Sequence, residues 1–66
     1  MYVFNTDKGY VKNIIGESVE FTEKKDEGMI FPNEVERTRK RFIYDVLIEE
    51  NGVKRYWKED LEVYYD

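Results

Sequence analysis

The sequence predicts an all-β protein that folds as a single domain over residues 1–66. Its 66 residues suffice for one domain. Residue types that favour strands, namely Val, Ile, Thr and the aromatics, are abundant, whereas Ala is absent and Leu occurs only twice. The aromatic content of 17% also argues against a disordered chain. We therefore expect antiparallel strands joined by short turns.

The first fifteen residues predict an N-terminal hairpin, separate from a main unit over residues 16–66. Segments 1–5 and 10–14 are apolar in part, and Thr6-Asp7-Lys8-Gly9 between them suits a turn that ends in a left-handed glycine. A short helix is the alternative, with Thr6 as its N-cap and Gly16 as its C-cap.

Alternating apolar residues predict two further strands. Residues 17–22 place Val19 and Phe21 on one face. A charged loop over 23–27 follows, and Pro32 marks a bend, a bulge or a sheet edge. Residues 41–50 alternate over a longer stretch and give the strongest strand prediction.

The dipeptide Asn51-Gly52 after this stretch is typical of a two-residue β-turn. Such a turn would pair Asp45 with Lys58, Leu47 with Tyr56, Glu49 with Lys54 and Val46 with Trp57. Ala at position 51 would destabilise the hairpin, because Ala resists a positive φ. Residues 58–61 predict a 3₁₀ turn, and residues 62–65 a last strand.

In this order of elements the chain from Gly16 to Tyr65 resembles an SH3-like small barrel of the KOW or Tudor type. The resemblance lies in Val19-Glu20-Phe21, Glu27-Gly28-Met29-Ile30, Tyr44-Asp45-Val46, Asn51-Gly52, Tyr56-Trp57 and Glu59-Asp60-Leu61-Glu62. It implies about five bent antiparallel strands, with the N-terminal hairpin as an addition. Families with this barrel bind peptides, proteins or nucleic acids, so the resemblance assigns no site residue.

The most concentrated charge in the sequence is a basic segment at a predicted hairpin tip. It contains Arg37, Arg39, Lys40 and Arg41, whereas the chain as a whole has a net charge of -4. Such a segment can contact a nucleic-acid backbone, dock on an acidic protein surface, or be a solvated turn.

Aromatic side chains suggest a second place for a partner. Tyr56 beside Leu47 and the C-terminal residues Tyr64 and Tyr65 are candidates, because tyrosine supplies contact area together with a polar tip. Ordinary strand positions would explain these tyrosines equally well.

Several function classes have no support in the sequence. Without His or Cys the chain lacks the commonest general base and metal ligand, and no nucleophile has a base to activate it. We predict no catalytic, cofactor or metal site. Apolar runs are too short for a membrane span, which together with the missing Cys fits a cytoplasmic protein.

The sequence therefore predicts a non-enzymatic protein-binding module, a small accessory or regulatory protein. Its bias towards Phe, Tyr, Met, Ile, Asn and Lys suggests an AT-rich coding sequence, as in low-GC bacteria and their phages. The alternatives are a nucleic-acid binder that uses the basic segment and a homo-oligomeric structural subunit.

Overall fold

A computed structural model describes residues 1–61, which form one open antiparallel sheet with a helix packed across one face. The sheet order is β3-β2-β1-β4, and strands predominate as predicted. The elements are β1 (Tyr2–Thr6), β2 (Gly9–Ile15), β3 (Ser18–Thr22), α1 (Arg39–Glu50) and β4 (Tyr56–Asp60), with 3₁₀ turns at Lys25–Glu27 and Asn33–Arg37. The strand predicted over 62–65, and with it Tyr64 and Tyr65, lies outside the described residues.

The predicted N-terminal hairpin is confirmed, and the helical alternative is wrong. Asn5 pairs with Tyr10 and Thr6 pairs with Gly9. The Thr6 hydroxyl accepts a hydrogen bond from the Lys8 amide at 2.9 Å and donates one to the Gly9 carbonyl at 2.7 Å. Gly9 has a φ of 111°, where other residues are strained. Because β1 also pairs with β4 along its whole length, this hairpin forms the centre of the sheet and not an addition to it.

Beyond the hairpin turn, β1 and β2 diverge, and residues 29–31 pass between them. Phe31 and Tyr2 exchange two backbone hydrogen bonds of 2.8 and 2.9 Å, while the Met29 amide donates to the Val11 carbonyl at 2.8 Å. A bulge in β2 between Val11 and Asn13 bends the strand at this point. The bulge thus lies where the Met29 backbone joins β2.

The strand predicted over 41–50 is wrong, because these residues belong to α1. The Thr38 side chain caps the helix by accepting a hydrogen bond from the Lys40 amide at 3.2 Å. Arg41 and Asp45 form an i,i+4 ion pair of 3.0 Å on the helix. Residues 44, 47 and 48 give the 3–4 spacing of a helix face as readily as residues 42–48 give strand alternation, so the apolar pattern fits both periods.

The dipeptide Asn51-Gly52 ends the helix and does not form a β-turn. The amides of Asn51 and Gly52 donate to the carbonyls of Ile48 and Glu49, and Gly52 has a φ of 82°. Glycine with a positive φ commonly follows a helix end, so the dipeptide fits a helix C-terminus as well as a hairpin turn. The predicted pairing of residues 45–49 with residues 54–58 is therefore absent, and the described strands form an open sheet in place of the predicted five-stranded barrel.

The 3₁₀ turn predicted at 58–61 is also wrong, because residues up to Asp60 extend as β4. This strand pairs with β1 from Thr6 opposite Tyr56 to Tyr2 opposite Asp60. Pairing with β1 supplies β4 with backbone hydrogen bonds along its length.

An aromatic cluster lies between the sheet and α1. Phe31 contacts Phe4, Tyr44 and Tyr2, with ring centroids 4.8, 5.1 and 5.7 Å apart respectively. Val19 is buried as predicted, and Ile48 from the helix is fully buried. None of the described helices is long and apolar enough to cross a lipid bilayer.

Candidate protein interface on the helix

The helix divides the basic segment into a half-buried and an exposed part. Arg41 points towards the sheet, where it pairs with Glu36 and Asp45 and lies 4.8 Å from the centre of the Phe4 ring. Arg37, Arg39 and Lys40 are exposed, and within residues 1–61 they form no ion pair. The structure therefore leaves three of the four predicted cations accessible to a partner, and gives Arg41 a role in the fold.

The charges of α1 oppose its own dipole. Its first turn contains no acidic residue and its last turn no basic residue. Arg39 and Lys40 lie at the positive N-terminal end, and Glu49 and Glu50 lie at the negative C-terminal end. Each such placement costs about 0.3–1 kcal/mol near a helix terminus. Local helix stability does not explain this arrangement.

The side of α1 that faces away from the sheet carries large apolar side chains. Phe42 is 70% exposed and Ile43 is 52% exposed, and half-buried Val46 lies one turn further along. We call Arg39, Phe42, Ile43, Val46 and Glu50 the α1 outer face. At 100° per residue, positions 39, 43, 46 and 50 form a stripe on the side opposite to buried Ile48.

Leu47 and Tyr56 do not form the shared face that the strand register predicts, because Leu47 lies on the helix. Both are half-buried and pack against the core. The Tyr56 hydroxyl donates to Asp45 Oδ1 at 2.7 Å, and its ring lies 6.0 Å from that of Phe4. A role of these two residues in partner binding stays a prediction.

The environment of Tyr56 predicts a loss of stability in alkaline solution. Burial and the hydrogen bond to Asp45 raise the pKa of Tyr56 from 10.0 to about 12. The folded state thus holds the proton more tightly than the unfolded state, so its contribution is complete below pH 10 and disappears as the pH rises to about 12. Burial raises the pKa of Tyr2 to about 12 as well, with the same sign.

We expect Tyr56→Phe to lose less stability than the wild type between about pH 9 and about pH 11, because Phe has no proton to release. Urea unfolding at both pH values measures the difference. An equal loss in both proteins would show that the hydrogen bond to Asp45 does not hold this proton.

On the opposite face of the sheet, the Glu59 carboxylate connects three strands and a turn. It accepts hydrogen bonds from Asn5 at 2.8 Å, Trp57 at 3.0 Å and Tyr10 at 3.2 Å, and pairs with Lys25 at 3.1 Å. The bond from Asn5 contributes most to lowering the pKa of Glu59, burial opposes it, and Lys25, Trp57 and Tyr10 lower it further. Because its oxygens are satisfied within the fold, we assign this cluster to folding, although Trp57 is 48% exposed.

Sequence reasoning missed Phe42 and Ile43 as candidate site residues. Strand alternation placed Phe42 on one face with Tyr44, Val46 and Ile48, and left Ile43 without a role. The available signal was the helical period, which places both positions opposite Ile48.

Comparison of the chain with protein-family models, curated proteins and solved structures gave no match. The function of the protein is therefore inferred from the chemistry of its exposed residues.

Proposed function

We propose that the protein is a non-enzymatic protein-binding module and that the α1 outer face is its docking surface. The observation that carries this proposal is the exposure of Phe42 next to Ile43. A domain of this size has few apolar residues with which to build a core, so an exposed Phe and Ile give up burial that folding could use. Contiguous exposed apolar surface with a polar rim marks interaction sites, whereas apolar side chains exposed singly are normal.

The charges around these two side chains support a protein partner with acidic groups. Arg37, Arg39 and Lys40 flank the apolar centre at one end. Cations at the rim of an interface accelerate the encounter with an acidic surface, while the buried apolar centre supplies most of the affinity. The net charge of -4 means that this positive region stands out from an otherwise acidic molecule.

Binding should depend on Phe42 much more strongly than stability does. With the protein as bait in an extract of the cells that produce it, Phe42→Ser should retain partners about tenfold less well than the wild type. Its free energy of unfolding should stay within about 0.5 kcal/mol, because the side chain is exposed.

Ile15→Ser is the matched control, because Ile15 is 60% exposed but lies at the end of β2. Partners retained by the wild type and by Ile15→Ser, but lost by Phe42→Ser, would identify the α1 outer face as their site. Unchanged capture by both Phe42→Ser and Ile43→Ser would exclude that face.

Nucleic-acid binding is the second candidate function. It is favoured by the exposure of three cations within residues 37–40, namely Arg37, Arg39 and Lys40. Phosphate contacts release counterions, so affinity for a fluorescent oligonucleotide should fall steeply between about 50 and about 200 mM salt. Replacing Arg37 and Arg39 by Ala should flatten this dependence. Replacing Lys54 and Arg55, two adjacent exposed cations outside the basic segment, by Ala should leave the salt dependence unchanged. Absence of binding at low salt, where electrostatic attraction is strongest, would eliminate this candidate.

A further inference from the structure

The α1 outer face is complementary to a second copy of itself in the antiparallel direction. Arg39 and Glu50 are equally far from the midpoint of α1, which lies between residues 44 and 45, and so are Ile43 and Val46. A two-fold axis through this midpoint would place Arg39 of one copy opposite Glu50 of the other, and Ile43 opposite Val46. The 4-3-4 spacing of these four positions is that of a helix seam that packs on another helix.

A second antiparallel copy would also compensate for the charges of α1 that oppose the helix dipole. Each helix has cations at its own N-terminus and carboxylates at its own C-terminus, both unfavourable for its dipole. In an antiparallel pair the carboxylates of one copy lie beside the N-terminus of the other, and its cations lie beside the C-terminus. The charge pattern that is unfavourable in a single helix therefore becomes favourable in the pair.

The apolar centre of the face would supply the contact area. In such a pair Ile43 and Val46 would meet near the two-fold axis, and Phe42 would pack along one side of the seam. With 12 residues, α1 is about 18 Å long, and a contact between two such helices is expected to bury less than the roughly 1,200 Å² of stable interfaces. The dimer is thus expected to be weak and dependent on concentration.

We propose that the protein forms a two-fold dimer in which the α1 outer faces of two copies pack antiparallel, with Arg39 of each copy against Glu50 of the other. The proposal depends on the function proposed above, because it names the partner of the same face.

Charge reversal tests this register directly. Sedimentation up to about 1 mM protein at low salt should show a dimer for the wild type, since a dissociation constant near 0.1 mM would give mostly dimer. Arg39→Glu and Glu50→Arg should each raise the dissociation constant at least about tenfold, because like charges then face each other. Both variants should unfold at or above the wild-type temperature, since each change favours the helix dipole.

Recombining the reversed charges should restore association. A mixture of Arg39→Glu chains with Glu50→Arg chains should form a heterodimer, because each Glu then faces an Arg. The double variant with both changes should dimerise with itself. Lys54→Glu and Glu23→Arg, exposed charge reversals away from α1, should leave the dissociation constant unchanged.

A wild type that stays monomeric at about 1 mM, or variants that associate as well as the wild type, would overturn the dimer. If the wild type is monomeric while Phe42→Ser still loses a captured partner, the dimer is wrong and the docking function stands. If the dimer forms in this register and both Phe42→Ser and Ile43→Ser capture the same partners as the wild type, the dimer stands. Docking of a different protein on this face is then excluded.

Discussion

Replacing Phe31 by Ala is expected to remove most of the stability of the fold. The side chain is 1% exposed and contacts Tyr2, Phe4 and Tyr44, so it joins the sheet to α1. Truncating a buried Phe costs about 3–5 kcal/mol. A domain of this length has about 3–10 kcal/mol in total, so the variant should be partly or wholly unfolded at 25 °C. Urea unfolding followed by circular dichroism measures the loss.

Phe42→Ala is the matched control, because it removes the same atoms from a side chain that is 70% exposed. Its free energy of unfolding should lie within about 0.5 kcal/mol of the wild type, and Ala favours the helix slightly. Equal losses in the two variants would contradict the arrangement in which Phe31 is in the core and Phe42 is in solvent.

Asn51→Ala is expected to cost about 2–3 kcal/mol, at roughly 1 kcal/mol for each of three hydrogen bonds. The Asn51 side-chain amide donates to the carbonyls of Leu47 at 2.7 Å and Glu17 at 3.0 Å. Its oxygen accepts from the amide of Val19 at 3.0 Å. The side chain thus fastens the end of α1 to β3 and to the turn before it. Chemical denaturation with the exposed Asn33→Ala as control measures this contribution.

The sequence predicted the same direction for Asn51→Ala, but for a different reason. If Asn51 had a positive φ, Asn51→Gly would be fully tolerated. Asn51 instead has a φ of -89°, and its side chain forms the three hydrogen bonds. Asn51→Gly should therefore be as destabilising as Asn51→Ala. Asn51→Asp should also destabilise, because it loses both donors and adds a negative charge at the helix C-terminus. Full stability of Asn51→Gly would favour the backbone explanation.

The candidate site could be predicted from the sequence only in part. The cations Arg37, Arg39 and Lys40 are recognisable as a cluster, because their charge needs no structure to be counted. Whether Arg41 belongs with them depends on the helix, because Asp45 lies within reach of Arg41 as an i,i+4 partner only once α1 has formed. The sequence pattern predicted strand positions for Phe42 and Ile43, whereas the helix exposes both side chains to solvent.

By itself the sequence determined those elements whose signals are local. The hairpin at Thr6–Gly9 follows from its turn residues, and Val19 is buried because the alternation of its strand has no competing period. Tertiary structure decided the state of residues 39–50, because their apolar positions fit a strand and a helix alike. The free edge of β1 is taken by β4, and the sheet face needs a cover for Phe4 and Phe31. A helix that packs Tyr44 and Ile48 against the aromatic core covers this face of the sheet. The sequence of residues 39–50 does not show that the sheet requires this cover, because the requirement arises from other segments of the chain.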